Sequence, residues 1–438
     1  MYEKEEQNIR NYKEQIEKTS IPNEALDDAI MTGFQRAKGT KLKKKKRSPK
    51  WIMSLTAAAI LLVSFIGLVK GSPVFAQYIT AIPGMEKIVE LIRNDKGMMS
   101  AIEHDYYQEI NVTKKHANRV VTLDGVIADQ QGLVLFYTIK GENQHRQPRI
   151  THPELKSTNH ESLDFKSISL SGAKKIDETT STGTIEIFFD KPYQTREFIL
   201  DLQFRRSSET MSLPFTLKKE MPPQKTYELN QTVVIEKQKI EVLKAVVNPL
   251  RTAIHVKAAP ENTKEILDYE DVRLVDERGE TWGKIMNGTT GSRISDTEQI
   301  LYLQSNYFHN PKELYLVFNK MQAVHKKQSE VVIDVDKEEI ISQPKGNKLR
   351  NLQIKNNQIE VDLHTNKEFH YSIFGKLTGA NGNETYGNSS TVLGPTEQDQ
   401  NMKYSLYVSD LDELKSPITM DLSFFPAWIE GNEKVRIK

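Results

Sequence analysis

The chain has 438 residues, a net charge of +1 and no cysteine. Its length predicts about three domains of roughly 150 residues each, and the missing thiols exclude disulfides, thiolate zinc sites and cysteine nucleophiles together. Charge is uneven, with 13 Lys/Arg against 8 Asp/Glu in residues 1–50 and 47 against 51 beyond, which does not describe a nucleic-acid-binding protein.

Residues 1–50 read as a helical tail. Ile9, Tyr12 and Ile16 form a thin apolar stripe on a charged segment, and Ser20-Ile21-Pro22 then opens a second helix. Leu26, Ile30, Phe34 and Ala37 recur at helical spacing on its one apolar face. Two such helices bury too little apolar surface to offset the entropy of ordering about 40 residues. They need a partner, and Leu26, Ile30 and Phe34 are the anchors expected to dock in its groove. The plainer reading is an unstructured tail that only precedes an anchor.

Trp51 to Val69 is a run of 19 residues without a charge. As a helix it covers about 28 Å, close to the hydrocarbon thickness of a bilayer. Seven Lys or Arg lie in the ten residues before it, Lys41, Lys43, Lys44, Lys45, Lys46, Arg47 and Lys50, against only Lys70 at its exit. That asymmetry predicts a single-pass protein with a cytosolic N-terminus and an exported C-terminus, the basic run lying on anionic headgroups. Cleavage after Ala76 is the competing expectation, since Val74-Phe75-Ala76 suits a signal peptidase. The apolar run is longer than the usual signal core of about 7–15 residues, and favours an uncleaved anchor.

Residues 70–104 carry apolar side chains, Met85, Ile88, Val89, Leu91 and Ile92, at three- and four-residue intervals, predicting a short stalk helix. The period then becomes two. Strands are expected at Tyr107–Thr113, Arg119–Ala128, Leu133–Lys140, Ser167–Gly172, Thr184–Asp190 and Glu197–Phe204. In the second of these Val121, Leu123 and Ile127 alternate with Thr122 and Asp124, the mark of one wet face. The strand density predicts a β-sandwich of immunoglobulin-like shape.

The pattern repeats. The stretch from Tyr107 aligns at an offset of about 119 with the stretch from Thr226, and a weaker copy begins near Leu349. Glu280-Thr281-Trp282-Gly283 and Glu384-Thr385-Tyr386-Gly387 share a phrase. The expectation is a mainly β chain of tandem immunoglobulin-like modules at 105–221, 222–341 and 342–438. The third lacks a clear opening strand unless Val331–Val335 or Ile340-Ile341 supplies it.

Chemistry is not legible. His145, His152 and His160-Glu161 form only a loose cluster in an expected polar loop, and no HExxH, GxSxG or P-loop pattern occurs. The neighbours Glu338 and Glu339 would point to opposite faces of a strand. Trp282, Trp428 and Tyr386 read as core or edge aromatics. No catalytic residue, metal ligand or cofactor is expected, and the chain reads as a non-enzyme.

Several stretches resemble a known family. They are Pro22-Asn23-Glu24-Ala25-Leu26-Asp27-Asp28-Ala29-Ile30 with Gly33 and Arg36-Ala37-Lys38, the basic run and span, Ile82-Pro83-Gly84-Met85-Glu86-Lys87-Ile88-Val89, Asp95-Lys96-Gly97, and the Val120–Ile139 strand pair. Residues 20–140 are similar to membrane proteins of Firmicutes that carry a domain of unknown function. Those proteins are often encoded beside extracytoplasmic-function sigma factors and are frequently described as anti-sigma factors. The resemblance implies a regulatory tail that holds a sigma factor or other cytosolic protein, and an exported domain that senses envelope state. This chain departs from the zinc-binding anti-sigma class, whose motif needs Cys, so any sigma binding must use apolar helix docking alone. The alternative expectation is an anchored or secreted surface protein that binds cell-wall polymer or another protein through its sandwiches.

Overall fold

The computed structural model describes residues 85–438, apart from 117, 142–148, 160–161, 172–173, 206–208, 286–289, 366–368 and 395–400. The tail anchors Leu26, Ile30 and Phe34, the basic run Lys41–Lys50, the apolar run and Ala76 lie outside these residues. Among the described residues no helix is long and apolar enough to cross a membrane. They are mainly β, arranged in six antiparallel sheets.

Two short helices come first, α1 (Glu86–Ile92) and α2 (Lys96–Glu103). The expected stalk is therefore broken, and Asp95 is the reason. Its backbone is extended, which interrupts the run, and its side chain accepts the Met98 amide at 3.0 Å, capping the start of a second helix.

The first module holds β1 (Gln108–His116), β2 (Arg119–Asp129), β3 (Gly132–Gly141), β4 (Ile150–Ser157), β5 (Phe165–Leu170), β6 (Lys174–Lys175), β7 (Thr180–Phe189), β8 (Glu197–Phe204) and β9 (Thr210–Thr216). One sheet runs β1-β2-β3-β7-β5, with β6 against β7, and the other runs β4-β8-β9. Val121, Leu135 and Ile187 from the first meet Leu155, Phe198, Leu200 and Leu213 from the second in one core. The expected wet face of β2 holds at Thr122, which is half-buried, and ends there. Its register shifts between Leu123 and Gly125, and both Asp124 and Ile127 are buried. The segment around His152, expected as a loop, is strand β4.

The second module holds β10 (Lys225–Ile235), β11 (Gln238–Val247), β12 (Arg251–Ala258), β13 (Lys264–Asp276), β14 (Thr281–Trp282), β15 (Gly291–Arg293), β16 (Glu298–Gln304) and β17 (Leu314–His325). The remaining strands are β18 (Glu330–Asp334), β19 (Glu339–Ser342), β20 (Leu349–Lys355), β21 (Gln358–Leu363), β22 (Phe374–Gly379), β23 (Glu384–Tyr386), β24 (Ser389–Leu393), β25 (Met402–Tyr407), β26 (Ile418–Leu422) and β27 (Trp428–Arg436).

The internal repeat is visible in backbone detail. The first strand of each unit carries a bulge at an asparagine of positive φ: Asn111 (53°), Asn230 (49°) and Asn351 (52°). The register breaks at the same place in β1, β10 and β20. Asparagine is among the few residues that tolerate this left-handed conformation. Sheet orders correspond between β1-β2-β3-β7-β5 and β10-β11-β12-β16-β15, and the third, β20-β21-β25-β24, follows them one strand short, with β21 paired directly to β25. The shared Glu-Thr-aromatic-Gly phrase supplies β14 and β23, which pair with the equivalent strands β13 and β22. Trp282 is fully buried there, whereas Tyr386 is 65% exposed.

The second sheets differ in one respect. In the first module β9 follows β8 in sequence and pairs with it. After β17, however, the next strand β18 leaves to pair with β26, and the place beside β17 is taken by β27 from the end of the chain. The second sheets therefore run β14-β13-β17-β27 and β19-β18-β26-β22-β23. Each unit closes the other's core: Ile429, Val435 and Ile437 are buried with the β10–β17 strands, and Val331 and Ile333 with the β20–β26 strands. Strands thus cross between the units in opposite directions, β18 with β19 one way and β27 the other.

Candidate functional site

The helices that open the described chain form a joint between the first two modules. On α1, Lys87 Nζ donates to Asp124 Oδ1 at 2.6 Å and to Thr138 Oγ1 at 2.9 Å, while the Thr138 hydroxyl donates to Asp124 Oδ2 at 2.7 Å. Asp124 is buried on β2 and Thr138 on β3, so Lys87 pins α1 to the first module and neutralises a carboxylate that water cannot reach. Glu90 adds an ion pair to Lys174 at the rim.

Helix α2 grips the second module. Gln304 Nε2 donates to the Asn94 carbonyl at 2.9 Å, and Lys96 Nζ to the Thr281 carbonyl at 3.0 Å. The His104 ring stacks on Phe308 at 4.8 Å with planes 15° apart, and Tyr106 covers the same ring at 4.7 Å. Gly97 permits the approach, because a Cβ there would lie 2.6 Å from the Ser305 amide nitrogen.

The modules also touch directly, through equivalent turns of the repeat. Asp129, the last residue of β2, accepts the amide of Leu250, just before β12, at 3.0 Å. The Arg251 guanidinium is sandwiched between Phe188 of β7 at 3.5 Å and Tyr302 of β16 at 3.7 Å.

At the centre of the joint is a cavity of about 40 Å³ lined by Leu91, Ile92, Asn94, Asp95, Met98, Thr184, Glu186 and Ile285. Burial pushes Asp95 up to about 6 although the Met98 and Gly97 amides favour its charge. Burial, with the Asp95 charge second, pushes Glu186 up to about 7, against the pull of Arg251. Burial also raises Asp129, opposed by the Gln131 and Leu250 amides and by Arg251.

Among the described residues no group of three or more His, Asp or Glu is arranged to hold a metal ion. His152 stands on β4 and belongs to no such group, and His145, His160 and Glu161 lie outside the described residues. Glu338 sits in a turn at φ 52° and Glu339 begins β19. Sequence reasoning assigned no role to Lys87, Asp95, Gly97, Asp124, Asp129 or Arg251, although Lys87 and Asp95-Lys96-Gly97 carry the family resemblance. The other signal was the repeat itself, which makes Asp129-Gln130-Gln131-Gly132 and Asn248-Pro249-Leu250-Arg251 equivalent turns.

Fold and joint together define a chain of interlocked antiparallel β modules clamped by a leading helical pair. Residues 44–141 match a domain of unknown function (DUF4179), and residues 224–363 match a family of unknown function (DUF5643). The first region carries Lys87, Asp95, Gly97, Asp124 and Asp129; the second carries Leu250, Arg251, Gln304 and Phe308. The two matched regions therefore meet at the joint. The chain is similar to the crystal structure of the conserved domain protein from Bacillus anthracis, with 15% identity and a TM-score of 0.38 over 54% of this chain and 84% of that one. No curated protein matches it.

Proposed function

We propose that the chain is a non-enzymatic, single-pass membrane regulator, an anti-sigma factor or envelope-stress sensor. Its tail holds an extracytoplasmic-function sigma factor at the cytosolic face through Leu26, Ile30 and Phe34. Its modules, of immunoglobulin-like shape, stand outside the membrane and sense envelope state. The observation that carries this reading is the helical pair 86–103: it follows the apolar run closely in sequence and is gripped by both of the first two modules. A rearrangement between those modules must act on the segment that leads to the span, which is the physical requirement for passing a signal across a membrane.

The test is capture of the full-length chain from membranes of its host, followed by identification of the bound proteins. The expected result is one sigma factor, lost with Phe34→Asp. Recovery without a sigma factor, or a sigma factor held equally well by Phe34→Asp, overturns the proposal and leaves the anchored surface protein as the reading.

A further inference from the structure

We infer that Asp95 and Glu186 form a proton-operated latch: in the protonated state they let the helical pair seat between the first two modules, and loss of their protons drives the joint open. The latch is a property of the folded joint and stands without any cytosolic partner; its use in signalling rests on the proposed regulator function.

Geometry carries the argument. The two carboxyl groups come from different bodies, Asp95 from the turn between α1 and α2 and Glu186 from the middle of β7, and they face one small cavity. The remaining lining mixes apolar Leu91, Ile92, Met98 and Ile285 with the uncharged polar Asn94 and Thr184, and brings no cation to the cavity wall. Glu186 is 5% exposed; its backbone pairs with β3 and β5, but its carboxyl group makes no hydrogen bond among the described residues. Two negative charges in such a place repel across the surface that must stay closed, and the low dielectric strengthens that repulsion.

Neighbouring charges do not relieve it. Arg251, from the second module, is the cation that acts on Glu186, and it acts on Asp129 as well. Two buried carboxyl groups, Glu186 and Asp129, thus share one guanidinium, which Phe188 and Tyr302 hold in place, and Asp95 has no cation of its own there. The other cations around the joint are committed: Lys87 to Asp124, Arg93 and Lys174 to Glu90, Lys96 to the Thr281 carbonyl and Glu280, and Lys166 to Asp190. His309, on the far side of α2, is held below its ordinary value by burial, so it does not supply a compensating charge above neutrality.

The direction follows from linkage. An acid whose value is raised in the closed state favours closure below its ordinary value, and that advantage is lost as pH rises through the raised one. Glu186 moves from 4.5 to about 7 and Asp95 from 3.8 to about 6. The joint is therefore tightest near pH 4 and progressively released up to pH 7. Asp95 also caps α2, a task its charged form does better, which is consistent with Glu186 taking the first proton as pH falls. The Glu186 shift alone corresponds to a change on the order of 100-fold in the closed-to-open ratio.

Amide hydrogen exchange of the full-length chain in detergent micelles, corrected for the chemical rate at each pH, reads the latch. Between pH 5.5 and 8.5 the amides of residues 98–102 should lose protection by tens to a hundredfold, while the Leu135 amide in the β3 core keeps its own. Glu186→Gln should flatten the dependence and hold α2 closed at pH 8.5. Asp95→Asn, which still caps α2, should flatten it in part and serves if Glu186→Gln loses the β3 protection. A flat profile in the wild type overturns the latch, as does a slope undiminished in the folded variants.

Discussion

The Asp129 carboxylate accepts the Leu250 amide at 3.0 Å, and the two residues stand in corresponding turns of two repeats. A duplicated unit has met its own copy through the same loop. Asp129 is 1% exposed; its other oxygen accepts the Gln131 amide at 2.8 Å, and its backbone carbonyl accepts the Tyr193 hydroxyl at 2.7 Å. Asp129→Ala would leave two amides unsatisfied and remove one of the two carboxyl groups that act on Arg251, at a cost of about 2–4 kcal/mol. Urea denaturation of the purified chain measures it. Asp129→Asn should recover part of the loss, because one acceptor oxygen remains.

Gly97 gives a sharper prediction, since its role is steric. The atoms that a new Cβ would meet belong to Ser305, with the backbone nitrogen at 2.6 Å and the backbone oxygen at 3.0 Å. Backbone does not yield as a flexible side chain does. Gly97→Ala should therefore cost about 1–3 kcal/mol even though alanine favours helices. The loss should appear as weakened protection of α2 amides, with the β1–β9 core unaffected.

Lys87 tests the other half of the joint. Removing its ammonium strips Asp124, 6% exposed, of its cation while leaving the Thr138 hydroxyl bond. Lys87→Ala is expected to destabilise by about 3 kcal/mol. The double change Lys87→Ala with Asp124→Ala should cost less than the sum of the single changes, and a thermodynamic cycle over the four proteins checks that.

How far the sequence discloses this structure depends on where the information sits. Val121, Leu123 and Leu135 stand in strands with strong local patterns, and those strands were legible. The strands β4 and β9 were not, because each is an edge strand that contains a proline, Pro153 or Pro214, and β4 buries only Leu155, although β9 alternates Met211, Leu213 and Phe215 into the core. Asp95 and Gly97 could be noticed as a turn, yet their partners Glu186 and Ser305 lie about 90 and 200 residues away. The exchange of β18 and β27 was invisible for a related reason. Val331 and Val435 would look the same whichever sheet received them, since pairing partners are a property of the assembled fold.

That exchange makes the last prediction. Deleting residues 428–438 removes the chain's end, yet the damage should appear in the second module. Ile429, Val435 and Ile437 are buried in its core, and the carbonyl of Leu314 accepts the Ile437 amide at 2.7 Å while the Leu314 amide donates to Lys438 at 3.1 Å. At about 1.5–3 kcal/mol for each buried aliphatic side chain, the loss reaches about 5 kcal/mol or more. Because β18 stays in place beside β26, the sheet built on β26 keeps its own closing strand. Hydrogen exchange on the truncated chain should thus show β17 deprotected and β26 less affected. The reverse order would mean that the final strand supports the third module, and that the two units are not interlocked. Since the Leu314 end of β17 comes a few residues after the Ser305–Phe308 stretch that seats α2, the same truncation should loosen α2 as well, tying the end of the chain to the joint.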